Sequence, residues 1–102
     1  MDATKLLDNV NVVPVAVIED KTTAVDLALT LLDAGIKAIE ITLRSADALD
    51  AIELVANSVP EMTVGAGSIR QVAQLEEILN RGAQFAVSPG ATGPLISAAK
   101  QL

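Results

Sequence analysis

Four short runs rich in β-branched residues recur along the chain: VVPVAVI (12–18), IKAIEITL (36–43), MTVG (62–65) and AQFAV (83–87). Their centres lie roughly 21 to 25 residues apart, the spacing of one supersecondary unit used repeatedly. Between them run segments with helical periodicity. From Thr22 to Ala34 the apolar stripe is Val25, Leu27, Ala28, Leu31 and Leu32, with Thr22 or Thr23 as N-cap and Gly35 as the stop. From Ser45 to Ser58 it is Leu49, Ile52, Val55 and Ala56, with Ser45 as N-cap and Pro60 closing. From Ser68 to Arg81 it is Val72, Leu75, Ile78 and Leu79, stopped by Gly82, and a fourth segment begins near Thr92. A short helix over Ala3–Asp8 leads the chain. Strictly alternating strands and helices with short connections specify an α/β fold of parallel strands joined by right-handed crossovers. The expected strands are 12–18, 36–43, 62–66 and 83–87, in the order 1-2-3-4, with the helices on one face.

Length sets the scale. At 102 residues there is room for one small domain, 1–102, and not for two. Hydrophobic residues make up 51 % and mean hydropathy is +0.48, so the chain has the material for a core. That core must be aliphatic, because Phe85 is the only aromatic residue. A net charge of −6 and a pI near 4.3 argue against nucleic acid and anionic membrane as partners. Without Cys there is no disulfide or thiolate chemistry, and without His the commonest metal ligand and general base are missing. Met1–Lys5 does not open a signal peptide, and 12–18 is too short to span a bilayer. A soluble, cytoplasmic protein is expected.

One strand breaks the apolar rule for buried parallel sheets. In AIEITLR (38–44), Ile39, Ile41 and Leu43 face one way, while Glu40, Thr42 and Arg44 face the other. In a flat sheet covered on both sides those polar groups would be misplaced. In a closed β/α barrel they would line the mouth at the C-terminal strand ends, where barrel active sites sit. There Glu40 is placed to act as general acid or base, its pKa raised by partial burial. The structural alternative is an internal ion pair with Arg44. Arg44 in turn either grips a carboxylate or phosphate in a bidentate fork or is a solvated charge before the next helix.

Two further stretches lie between strand and helix. VGAGS (64–68) reads as a glycine turn that lets backbone approach a ligand, ahead of a helix N-terminus that favours anions. SPGAT (88–92) reads as a second such turn. Glycine turns also connect strands to helices for steric reasons alone. With Thr42, Arg44 and Ser68, Ser88 and Pro89 complete the set of candidate substrate-binding residues. Lys5, Lys21, Lys37 and Lys100 all fall away from the C-terminal ends of the expected strands and read as solvated charges.

Taken in series, VVPVAVIED, AGIKAIEITLRS, VGAGS and GAQFAVSPGAT resemble the 2-keto-3-deoxy-6-phosphogluconate (KDPG) and 4-hydroxy-2-oxoglutarate (KHG) aldolase family from Val12 to about Lys100. The resemblance implies a (β/α)8 barrel, of which this chain holds the first four β/α units. It implies a class I aldolase, usually a homotrimer, acting on a small oxo-acid through a lysine Schiff base with pyruvate, with no metal and no cofactor. It makes Glu40 the proton shuttle and gives Arg44 and the hydroxyl of Ser68 the pyruvate carboxylate. Ser68 stands where the family usually has threonine. The family's Schiff-base lysine lies on a later strand, so it maps to no residue here, and neither do the phosphate-binding turns. Three expectations follow from that: a truncated aldolase inactive alone, one half of a split enzyme, or a free-standing half-barrel that binds partners or pairs with itself.

Overall fold

The computed structural model describes residues 7, 10–88 and 98–99. Four strands, β1 (Val15–Ala16), β2 (Ala38–Thr42), β3 (Thr63–Gly67) and β4 (Phe85–Ala86), form one sheet. All pairs are parallel, and the order is sequential from β1 to β4. Between them lie α1 (Ala24–Asp33, entered through a 3-10 turn at Lys21–Thr23), α2 (Ala48–Ser58) and α3 (Val72–Asn80). The alternation of strand and helix and the parallel sequential order are borne out from β1 to β4. The expected leading helix at 3–8 and the fourth helical segment lie largely outside the described residues.

The sheet has two unlike faces. Ile39 and Ile41 of β2 and Val64 and Ala66 of β3 share one buried cluster with Ala24 and Ala28 of α1, Ala51, Ile52 and Val55 of α2, and Leu75 and Ile78 of α3. All three helices therefore cover the same face. Fully burying each of these isoleucines contributes about 1.5–3 kcal/mol. Small alanines on α1 and α2 let the helices lie close to the strands. Glu40, Thr42 and Phe85 are buried but stand outside this cluster, on the opposite face.

Gly35 and Gly82 stop α1 and α3 by the same device. Each has a positive φ, 84° and 98°. In α1, Gly35 N–H donates to Leu32 O at 2.9 Å and Ile36 N–H to Leu31 O at 2.8 Å. In α3, Gly82 N–H donates to Leu79 O at 3.0 Å and Ala83 N–H to Ile78 O at 2.9 Å. Both are Schellman motifs, which turn the chain straight into the following strand. On the surface, Asp50 of α2 ties the layer together, accepting from Lys21 Nζ at 3.1 Å and from Arg81 Nη1 at 2.7 Å.

Several boundaries differ from expectation. The outer strands are two residues each rather than seven and five; among the described residues each has a neighbour on one side only, and Pro14 lacks a donor. Ser45 does not cap α2; its hydroxyl donates to Ile18 O at 2.5 Å, pinning the end of the first unit, and the helix starts three residues later. Neither Thr22 nor Thr23 caps α1 through its side chain. Asp20 does that work one turn earlier, accepting from Thr22 N–H at 2.9 Å. α3 starts at Val72, not Ser68, where the Gln74 side chain reaches back and accepts from Gln71 N–H at 3.0 Å and Arg70 N–H at 2.7 Å.

Candidate active site

Parallel register places Val15, Glu40, Gly65 and Phe85 side by side across the four strands. Thr42 stands beside Gly67 one step nearer the C-terminal end. The polar groups of β2 thus lie on the face turned away from the helices, at the C-terminal half of the sheet.

Both glycines of VGAGS lie within β3, which corrects the expectation of a turn. The reason is space. A β-carbon on Gly65 would collide with the ring of Phe85, and one on Gly67 would collide with the carboxylate of Glu40. The chain leaves β3 only at Ser68, and four residues separate β3 from the start of α3. No helix N-terminus therefore meets this stretch directly.

Glu40 is 9 % exposed. Burial raises its pKa above the ordinary 4.5, and the positive charge of Arg44 opposes that only in part. Among the described residues no ion pair joins the two, so the internal ion pair is not formed. The guanidinium has a different partner. Arg44 Nε donates to Ser68 Oγ at 3.0 Å, from the end of β2 to the end of β3. Ser68 holds a left-handed backbone, φ 62°, which non-glycine residues adopt uncommonly and at some strain. That turn aims its hydroxyl at Arg44. Using Nε for serine leaves the two terminal nitrogens, the fork that suits a carboxylate, without a hydrogen bond among the described residues. Thr42 Oγ1 makes a long contact to Ala16 O at 3.4 Å and helps hold β1. Ser88 lies two residues beyond β4, half-buried, and Pro89 lies outside the described residues.

Of the lysines, Lys37 precedes β2 on the opposite, N-terminal rim. Lys21 is engaged by Asp50, whose hydrogen bond and charge raise its pKa. Lys5 and Lys100 lie outside the described residues.

The raised pKa of Glu40 has a consequence for stability. The folded state disfavours the ionised form, so the carboxyl costs stability as pH rises through its folded pKa and costs nothing below the ordinary 4.5. Glu40→Gln is expected to raise the thermal midpoint by a few degrees near pH ~7, with the gain gone near pH ~4. Scans at both pH values check this.

Sequence reasoning missed the part played by Gly65, Gly67 and Phe85. The signal was present as glycine at alternate positions, in step with Glu40 and Thr42 on the neighbouring strand.

Four parallel strands in sequential order, linked by three helices on one face among the described residues, with a buried carboxylate and a guanidinium–hydroxyl pair at the C-terminal strand ends, form half of a TIM-type (β/α)8 barrel, laid out as in the barrel enzymes. The family model for KDPG and KHG aldolase matches residues 3–102, and the chain belongs to that family. It is 44 % identical over 99 residues to the KHG/KDPG aldolase of Escherichia coli (strain K12), covering 97 % of this chain and 46 % of that protein. To the 2-dehydro-3-deoxy-phosphogluconate aldolase of Dickeya dadantii it is 47 % identical over 90 residues, covering 88 % and 42 %. Among solved structures, the Zymomonas mobilis KDPG aldolase with 3-phosphoglycerate superposes with a TM-score of 0.87 at 36 % identity, covering 97 % of this chain and 49 % of that one. The Legionella pneumophila KDPG aldolase, with pyruvate captured as a covalent carbinolamine, gives 0.85 at 38 %, covering 88 % and 44 %. The chain spans about half the length of the curated relatives it matches. No helix among the described residues is long and apolar enough to cross a membrane.

Proposed function

We propose that these four units supply the proton-handling and carboxylate-gripping part of a Schiff-base aldolase acting on KDPG or KHG. The observation that carries this reading is the division of labour at the strand ends. Among the described residues Glu40 is buried and in no ion pair, while Arg44 is held by Ser68 and its terminal nitrogens make no hydrogen bond. A carboxyl whose pKa is raised by burial holds and releases a proton more readily than an ordinary carboxylate, as formation and hydrolysis of a Schiff base require. A guanidinium fork four residues further along the same chain, just past the end of β2, fixes the carboxylate of a 2-oxo acid, so that its C2 carbonyl lies towards Glu40. The relative that holds pyruvate as a carbinolamine supports pyruvate as the common fragment.

In this reading Glu40 moves protons and Arg44 with Ser68 orients, while the amine that attacks C2 comes from outside the described residues. Lys21 is protonated and tied to Asp50, and Lys37 stands on the wrong rim. Further β/α units of the barrel would add to the outer strands, where Val15 and Val87 are exposed.

Pyruvate titrated into the isotopically labelled 102-residue chain is expected to shift the backbone signals of Arg44 and Ser68 first. Arg44→Gln is expected to weaken that binding about 10-fold or more, the loss of one charge-assisted hydrogen-bonded grip. Equal binding by Arg44→Gln, or shifts confined to other strands, would overturn the assignment.

A further inference from the structure

We propose that Gly67 is a positioning residue for Glu40: its bare α-carbon lets the carboxylate lie flat on β3, out of ion-pair reach of Arg44. The inference deepens the proton-handling reading of Glu40 and rests on that reading for its functional meaning, while the geometry stands without it.

Three observations carry it. First, the space a β-carbon would need at position 67 is occupied by Glu40, with Cδ 2.7 Å and Cγ 3.0 Å from where that carbon would lie. The side chain of Glu40 therefore crosses from β2 onto β3 and leans towards its C-terminal end, since Glu40 itself stands opposite Gly65. Second, nothing else about position 67 calls for glycine. Positive φ among the described glycines belongs to Gly35 and Gly82, whereas Gly67 is a regular strand residue paired with Thr42. The usual reason for glycine, a backbone closed to other residues, does not apply here.

Third, the neighbouring glycine does a matching job from the other side. Gly65 receives the ring of Phe85 from β4, as Gly67 receives the carboxylate from β2. Two residues apart on one strand, the ring and the carboxylate lie in succession along the same bare face, roughly 6–7 Å from glycine to glycine. An apolar ring on that side and β3 backbone beneath withdraw the carboxylate from water. Burial is the larger influence on its proton affinity, and Arg44 is the charged group that opposes it. β1 and β4 bring no charge to it, offering Val15, Ala16, Phe85 and Ala86. A methyl at 67 would evict the carboxylate from this bed, and the cation among the described residues whose charge it already feels is Arg44. The proton relay would become a salt bridge, and the fork would lose its ligand-free state.

The test follows the Glu40 side-chain carboxyl carbon by NMR through a pH titration of the 102-residue chain, native and Gly67→Ala. No substrate is involved, so the result is separate from whether pyruvate binds. The native carboxyl is expected to titrate above the ordinary 4.5, and in Gly67→Ala its midpoint is expected to fall to that value or below. An unchanged midpoint in a folded Gly67→Ala chain overturns the proposal.

A second measurement holds if Gly67→Ala does not fold. The methyl is added in the background of Glu40→Ala, where its collision partner is gone. The double variant is expected to melt at the temperature of Glu40→Ala alone. If the methyl costs the same in both backgrounds, or if the double variant also fails to fold, Gly67 serves the backbone and the proposal is wrong. Gly35→Ala is the control: its added carbon meets nothing within 4 Å, but its φ of +84° makes it strained. It should cost the same stability in the native and Glu40→Ala backgrounds and leave the Glu40 titration unmoved.

Discussion

Incubated with pyruvate and then borohydride, the 102-residue chain is expected to keep its intact mass. Reductive trapping requires an unprotonated amine at the carbonyl carbon. Lys21 is the described lysine nearest the C-terminal rim in sequence, following β1 by five residues. Its ammonium is hydrogen-bonded to Asp50 at 3.1 Å, and the negative charges of Asp50, Asp47 and Asp20 stabilise its protonated form. That is the reverse of the desolvated or cation-flanked setting that frees a lysine for nucleophilic attack. Lys37 enters β2 from the far end. Loss of a covalent nucleophile costs on the order of 10^6 in kcat where it has been dissected in a protease. Cleavage of KDPG by this chain should accordingly fall several orders of magnitude short of a complete aldolase. A gain of one pyruvyl mass, abolished by Lys21→Met, would show that Asp50 releases the amine and that the four units carry their own nucleophile.

Phe85→Ala is expected to have the largest effect on stability of any single change considered. The ring is 1 % exposed and is the only aromatic in the molecule. It lies on Gly65, on the face of the sheet that no described helix covers, where few other large side chains are available to close around a void. Truncating a buried phenylalanine costs about 3–5 kcal/mol, and domains of this size hold only about 5–15 kcal/mol in total. A drop in thermal midpoint on the order of 20 °C follows for a chain of this length. Thermal or urea unfolding measures it. Gly65→Ala should also destabilise, by overfilling the same spot, and Phe85→Leu should recover part of that loss in the double variant. A Phe85→Ala chain that melts within a few degrees of the native one would mean the ring is not a packing element.

What could be read in advance, and what could not, divides along physical lines. Sheet order, strand direction and the facing of Glu40, Thr42 and Arg44 followed from period-two and period-3.6 patterns, because burial on one face punishes any slip in register. Gly35 and Gly82 announced the helix ends because few residues tolerate the backbone required there. Helix starts were misread at Ser45 and Ser68, where serine has a competing partner across the sheet, Ile18 O in one case and Arg44 in the other. The glycines at 65 and 67 read locally as a turn because their cause lies in side chains far away along the chain, Phe85 for Gly65 and Glu40 for Gly67. No local pattern reports a clash between residues that meet only after folding.

The sequential strand order also sets how the molecule can be assembled in time. Register partners sit 25 residues apart from Val15 to Glu40, 25 from Glu40 to Gly65 and 20 from Gly65 to Phe85. Every strand therefore docks on the one made just before it. Within the described sheet no contact must wait for a distant segment, so loop-closure entropy is met in similar, modest instalments. On a ribosome adding about 5–20 residues per second, one unit emerges every few seconds and finds its template already in place. The first pair can form while the third strand is still inside the exit tunnel, and growth proceeds from the N-terminus by accretion, each new strand inheriting the open edge that the last one leaves.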